Sequence, residues 1–322
     1  METFNTKLKK EICLASCKEH GLSFLSGLIK CNGELKKNGS AEQIVIKTEC
    51  VEVLDCVNKV LLELYGQPAE LVISDDVGFT DRPKYEILLP SSFTHQILLD
   101  TEIAFYDEEK FLNFYSGISK YIVETNEQTL EYIRGVYIGS GTSNIVLSDN
   151  AQNYSKNTGY RMEFVFSFDE LSSDFASLLA GEGILSKRLT RKEFFVVYVQ
   201  GFEYVSKLIG LLGATKCYMD IQNENALREM RNTVNRQNNC QTANITKTVN
   251  ASVEQLASIK TIQETVGIES LDEPLRLACY LRLANPDESL ENLVKLSTEK
   301  ISKSGLYHRF KKIEKIAKEI ES

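Results

Sequence analysis

No stretch of about 18 consecutive apolar residues occurs in the 322-residue sequence, so no segment reads as a membrane-spanning helix. The first twenty residues, METFNTKLKKEICLASCKEH, lack the apolar run of roughly 7–15 residues that a secretory signal requires. A cytoplasmic protein is therefore expected, with no membrane partner. Histidine is scarce, and His20, His95 and His308 stand too far apart in sequence to outline a hydrolytic triad. Eight cysteines are scattered at positions 13, 17, 31, 50, 56, 217, 240 and 279. Without an export signal they read as reduced thiols, several of them buried as small apolar groups. Cys13, Cys17 and His20 are loosely spaced and no second ligand pair follows, which argues against a zinc cluster. No metal, cofactor or nucleotide substrate is expected.

Acidic residues exceed basic ones, 45 to 37, a balance that speaks against nucleic acid until its distribution is considered. Residues 1–227 carry 22 Lys/Arg against 32 Asp/Glu, a net of −10, whereas residues 228–322 carry 15 against 13, a net of +2. Residues 300–318 hold Lys300, Lys303, Arg309, Lys311, Lys312, Lys315 and Lys318 against Glu314 alone. Phosphate contact needs a local basic patch, whatever the whole chain sums to.

The length allows about two domains, and the first ~220 residues repeat one pattern. LSGLIKCNG at 25–33 and IRGVYIGSG at 133–141 share an apolar-x-Gly-apolar-apolar-x-small-x-Gly outline, 108 positions apart. Helices are expected over about 6–18, 22–31, 51–65, from Ser92, over 126–138, from Asp169 to Leu179 and from Phe202 to Leu212. Strands are expected in GELKK and EQIVIKTEC, joined by the hairpin signal Asn38-Gly39, and in AELVISD and KYEILLP. NIVLSD and YRMEFVFSF form a third pair, ILSKRLT and EFFVVYVQG a fourth. The result is an αββαββα unit written twice.

The two glycine-ended runs resemble the LAGLIDADG motif of homing endonucleases. In that family the residue before the last glycine is a carboxylate that binds a catalytic metal, whereas here it is Asn32 in the first copy and Ser140 in the second. A hard divalent cation draws on carboxylate charge, so these are degenerate former metal positions. Glu34 and Asp149 lie close by but out of register. The scaffold is expected without nuclease chemistry, and the chain is expected not to be an enzyme. Small residues (Gly27, Cys31, Gly135, Gly139) would let two such helices pack closely.

Residues 223–268 are polar, with Val249, Val253, Leu256 and Ile259 spaced for an amphipathic helix. Arg231 and Arg236 alternate there with amides able to bond phosphates. In residues 269–322, Pro274 opens one helix, Ser289 caps a second (LENLVKL) and Ser302 caps a third. Leu306, Phe310, Ile313, Ala317 and Ile320 form its apolar stripe. Ser304, Gly305, His308, Arg309 and Lys312 lie away from it, the arrangement of a helix-turn-helix with a recognition helix. The expected DNA-facing residues are Ser302, Lys303, Ser304, His308, Arg309, Lys311 and Lys312, with Arg231 and Arg236 on the connector.

TFNTKLKKEI at 3–12, RNTVNRQNNCQTANITK at 231–247 and SLENLVKLSTEKISKSGLYHRFKKIEKIA at 289–317 resemble the WhiA family of bacterial DNA-binding regulators. The resemblance is weakest between about 75 and 125. It implies an α+β fold: a duplicated LAGLIDADG-like domain over 1–222, a largely helical connector over 223–268 and an all-α, sigma-region-4-like helix-turn-helix domain over 269–322. It also implies transcriptional regulation linked to sporulation in some bacteria, and to cell division and chromosome segregation in others. Double-stranded DNA is the expected partner, with the transcription machinery as a second. The competing readings are a nucleoid-associated or protein-docking factor using the acidic N-terminal domain, and an active endonuclease.

Overall fold

The glycine that ends each motif helix also starts a strand, and this local rule builds the N-terminal unit. The computed structural model describes residues 2–16, 19–38, 41–73, 84–145, 147 and 159–321. It divides into two compact units, residues 1–227 and 228–322.

In the first unit, α1 (Phe4–Ala15) precedes the first motif helix, α2 (Gly21–Asn32). Then follow β1 (Gly33–Asn38), β2 (Ala41–Thr48), α3 (Glu52–Tyr65), β3 (Glu70–Ile73), β4 (Tyr85–Leu88) and α4 (Thr94–Asp100). A small hairpin, β5 (Ala104–Tyr106) and β6 (Leu112–Phe114), precedes the second copy. That copy comprises α5 (Asn126–Ser140), β7 (Gly141–Asn144), β8 (Arg161–Phe166), α6 (Asp169–Gly181), β9 (Lys187–Arg191), β10 (Phe194–Gln200) and α7 (Phe202–Leu211). The αββαββα order of the sequence reading is present twice.

The sheets repeat the duplication. Their strand orders are β1-β2-β4-β3 and β7-β8-β10-β9, antiparallel throughout. Gly33 pairs with Ile46 and Gly141 with Phe164, so corresponding glycines open both sheets. Asn38 pairs with Ala41, which places the expected hairpin where the sequence put it, although its loop lies outside the described residues. Along β8, Met162, Phe164 and Phe166 are buried in alternation with Arg161, Glu163 and Val165, the period of a strand with one face on the core.

One strand assignment needs correction. NIVLSD is not a strand along its length: β7 ends at Asn144, and Ile145 and Leu147 are outside any strand. The pairing begins immediately after the helix, at Gly141, so the polar residues Thr142 to Asn144 take the ladder. Asp149 and Cys17 lie outside the described residues. Cys13, Cys50, Cys56, Cys217 and Cys279 are buried free thiols, and Cys240 is exposed.

Close helix packing is the centre of this unit. Gly27 on α2 faces the Tyr132 carbonyl of α5, and Gly135 on α5 faces the Phe24 carbonyl of α2. Phe24, Leu25 and Leu28 from α2 join Tyr132, Ile133 and Val136 from α5 in full burial. Each large apolar side chain so buried contributes roughly 1.5–3 kcal/mol.

α8 (Thr215–Thr265) begins in the first unit and ends in the second. The second unit continues with α9 (Glu273–Ala284), α10 (Leu290–Leu296) and α11 (Lys303–Glu321). Its own core joins Ile259 and Ile262 to Leu275, Cys279, Leu293 and the α11 stripe Leu306, Phe310, Ile313 and Ala317. The helical reading of the connector agrees with α8, but its packing face differs from the expected one. Val249 and Val253 are exposed, whereas Ser252 and Gln255 are buried with Ile259 and Ile262. The polar pair turns inward because each has a partner there: Ser252 donates to the Pro286 carbonyl, and Gln255 accepts from Arg282 at 2.9 Å.

Candidate nucleic-acid interface

The turn before α11 is built by serines. Ser289 caps α10, accepting from the Asn292 N–H at 3.3 Å. Ser297 accepts from the Glu299 N–H at 3.2 Å, bending the chain after α10. Ser302 then accepts from the Gly305 N–H at 3.1 Å and starts α11. Such caps contribute about 1 kcal/mol each.

Successive residues on α11 turn by about 100°, which sorts its side chains by direction. Leu306, Phe310, Ile313 and Ala317 face the core. Opposite them, Lys303, Ser304, Tyr307, His308, Lys311 and Lys315 form one exposed face. Ser302 is exposed at its N-terminal end, where free N–H groups favour anions.

The exposed cations are weakly held. Lys303 is 3.6 Å from Glu291, Lys312 is 3.6 Å from Asp272 and Lys315 is 3.8 Å from Glu319. Exposed pairs of this kind are worth little, so these ammonium groups can exchange a carboxylate for a phosphate. Lys311 pairs with Glu314, which raises its pKa, and its Nζ sits 5.8 Å above the Tyr307 ring.

Arg309 is placed differently. Its guanidinium donates to Glu299 at 2.6 Å and to the Pro274 carbonyl at 3.2 Å, with its side chain only 25% exposed. It braces α11 against the preceding loop and the start of α9. On the connector, Arg236 is exposed and Arg231 is partly covered.

Two residues of consequence were not singled out from sequence. Tyr307, 45% exposed, stands on the outward face and brings an aromatic surface beside the lysines. Arg282, 1% exposed, donates to Gln255 and to the Glu288 carbonyl at 2.6 Å, and its guanidinium lies 5.3 Å from the Phe310 ring centre. Burial lowers its pKa. An arginine at that point in α9 reads from sequence as a solvent-facing residue, and only the inward turn of Gln255 and of the loop carbonyls reveals its role.

At the ends of the two motif helices, Asn32 donates to the Lys47 carbonyl at 2.6 Å, and the Ser140 hydroxyl donates to the Val136 carbonyl at 3.4 Å. Cys31, its thiol pushed up to about 12 chiefly by burial, lies within hydrogen-bonding reach of Ser140. Glu34 is engaged by Lys47 at 3.1 Å. An amide, a hydroxyl and a protonated thiol do not fit a hard divalent cation, which needs carboxylate oxygens. Among the described residues no group of three or more His, Cys, Asp and Glu side chains is placed to hold a metal ion. No helix among them is long and apolar enough to cross a membrane.

These features define a duplicated LAGLIDADG-like α+β domain followed by an all-α helix-turn-helix domain. Residues 18–104 match the model of the WhiA N-terminal LAGLIDADG-like domain, residues 129–231 that of the WhiA LAGLIDADG-like domain, and residues 234–317 that of the WhiA C-terminal helix-turn-helix domain. The chain is 32% identical over 323 residues to a Clostridium botulinum protein named "Probable cell division protein WhiA", covering 99% of each. Its counterpart of the same name in Clostridium acetobutylicum is 32% identical over 321 residues, covering 99% of this chain and 98% of the relative. Full-length WhiA from Thermotoga maritima has the same fold, with a TM-score of 0.57 at 20% identity over 99% of both chains. The chain belongs to the WhiA family.

Proposed function

We propose that this protein is a sequence-selective DNA-binding transcriptional regulator acting in cell division and chromosome segregation. The observation that carries the reading is the outward face of α11. It gathers Lys303, Ser304, His308 and Lys311 around a serine-capped N-terminus, on a helix whose opposite face is fully committed to the core. The relatives' name supports the division role. The division of labour assigns residues 269–322 to DNA reading and residues 223–268 to a connector whose Arg231 and Arg236 add phosphate contacts. In this reading Ser302, Lys303, Ser304, His308, Lys311 and Lys312 meet DNA directly, and Arg309 acts by holding α11 in place. The acidic residues 1–222 then serve for docking, with the transcription machinery as the partner.

Chromatin immunoprecipitation of the tagged protein in its own cells is expected to give sharp peaks at a few promoters that share a motif. Broad occupancy indifferent to sequence would favour a nucleoid-associated factor instead.

No nuclease activity is proposed, because Asn32 and Ser140 replace the carboxylates that cleavage would require. Purified protein with magnesium is expected to leave a supercoiled plasmid intact over hours. Metal-dependent nicking that co-purifies with the protein would contradict this.

A further inference from the structure

A cavity of about 500 Å³ lies in the first unit, walled by α1, the ends of α2, β2 and α5, and the starts of β4 and β7. Its volume is that of a small-molecule site. What distinguishes it is the number of hydrogen-bond donors left over on its walls.

Asn5 shows this most clearly. Its Oδ1 accepts from the Tyr137 hydroxyl at 2.8 Å and from the Ser143 N–H and hydroxyl at 3.0 and 3.2 Å. The backbone N–H can only donate, so it fixes the orientation of the amide. The Asn5 Nδ2 group is left without an acceptor among the described residues. Lys9 has three N–H groups, and the one acceptor its Nζ meets among the described residues is the Ile138 carbonyl at 3.0 Å. Desolvation pushes the Lys9 pKa down, against smaller opposing effects of Cys50, Cys13 and Glu49. Lys84, also on the wall, has no ion-pair partner among the described residues.

Among the described residues two carboxylates line the cavity. Glu2 is held by Lys10 at 3.1 Å, while Glu49 is exposed to solvent. Lys47, the third lysine on the wall, is engaged by Glu34 at 3.1 Å. Among the described residues, Lys9, Lys84 and the Asn5 amide therefore keep donor capacity to spare, two of them cationic.

We propose that this cavity is a receptor for the phosphate group of a small molecule, held by Lys9, Lys84 and Asn5. A phosphate offers several strong acceptor oxygens to converging donors, and charge-assisted bonds to it are about twice as strong as neutral ones. The site is concave and of small-molecule volume, so its ligand is a free or esterified phosphate and not a nucleic-acid duplex. This site is separate from the α11 face and does not depend on the DNA-binding reading.

The test is calorimetric titration of the full-length chain, at constant ionic strength, with inorganic phosphate, pyrophosphate and a nucleoside triphosphate. Saturable binding of at least one probe is expected, weakened at least tenfold by Lys84→Ala and by Lys9→Met. Lys84→Ala alters a partly exposed side chain with no ion-pair partner among the described residues, so it keeps the test meaningful should Lys9→Met disturb folding. Equal affinity per phosphate for all three probes would assign the site to the free ion, and a gain for the triphosphate would assign it to an ester. No saturable binding of any probe overturns the proposal. So does binding unchanged in folded Lys84→Ala, or displacement of the probe by duplex DNA.

Discussion

Replacing Gly135 by alanine is expected to destabilise the N-terminal unit by about 3 kcal/mol, although alanine favours a helix over glycine by about 1 kcal/mol. A Cβ at this position would run into the Phe24 carbonyl and come within 2.9 Å of the Leu28 nitrogen. Both neighbours are backbone, so neither can rotate aside, and α2 and α5 would have to separate along their shared core. Overpacking typically costs 1–3 kcal/mol and occasionally more, and the lack of any yielding side chain puts this site at the upper end. Gly27→Ala is expected to behave alike, since its Cβ would meet the Tyr132 carbonyl and lie 2.9 Å from the Val136 nitrogen. Gly181→Ala is the control: it sits at the end of α6 with nothing within 4 Å of the added atom. Urea-denaturation midpoints decide the matter. Equal midpoints for Gly135→Ala and Gly181→Ala would show that the two helices do not approach as described.

Arg282→Met is expected to cost the second unit about 3 kcal/mol, through the acceptors it would abandon. The buried Gln255 Oε1 and the half-buried Glu288 carbonyl would lose a charged donor, and an unsatisfied buried polar group costs about 1–3 kcal/mol. Phe310, packed beside the guanidinium, would feel the change, so α11 should loosen and DNA binding should fall with stability. Arg276→Ala is the matched comparison, because Arg276 is partly exposed and pairs with a 72% exposed Glu269 at 3.2 Å. A change within about 0.5 kcal/mol is expected there. Thermal unfolding followed by circular dichroism would contradict the role of Arg282 if both variants melted together.

The repeated αββαββα order was legible because it rests on local rules. Glycine ends each motif helix, apolar residues alternate along β8, and Leu306, Phe310, Ile313 and Ala317 recur at helical spacing. These signals need no knowledge of what lies opposite them. The misread stretches are those where a partner decides. Val249 and Val253 look like a core stripe until Arg282 and the Pro286 carbonyl draw Gln255 and Ser252 inward. Arg309 looks like a free cation until Glu299, ten residues earlier, is found 2.6 Å away. The β5–β6 hairpin starts at the last residue matched by the first LAGLIDADG-like model and ends before the region matched by the second, within the stretch where the resemblance is weakest. The cavity beside α1 was invisible for the same reason: its wall draws on residues as far apart in sequence as 5, 9 and 84, brought together only by the fold.

The central claim is that the outward face of α11 meets DNA. Fluorescence-anisotropy titration of the full-length chain against duplex DNA, over a series of salt concentrations, tests it most directly. The Lys303→Ala/Lys311→Ala double variant is the one to compare with the unaltered protein. Both lysines are exposed and the Lys303–Glu291 pair lies at the surface, where such pairs contribute little, so the fold should survive their loss. Affinity is expected to drop at least about tenfold, and the slope of log affinity against log salt to become shallower by about 1.8, roughly 0.9 for each lost phosphate contact. An unchanged affinity with an unchanged slope would contradict the account and move DNA binding away from this helix.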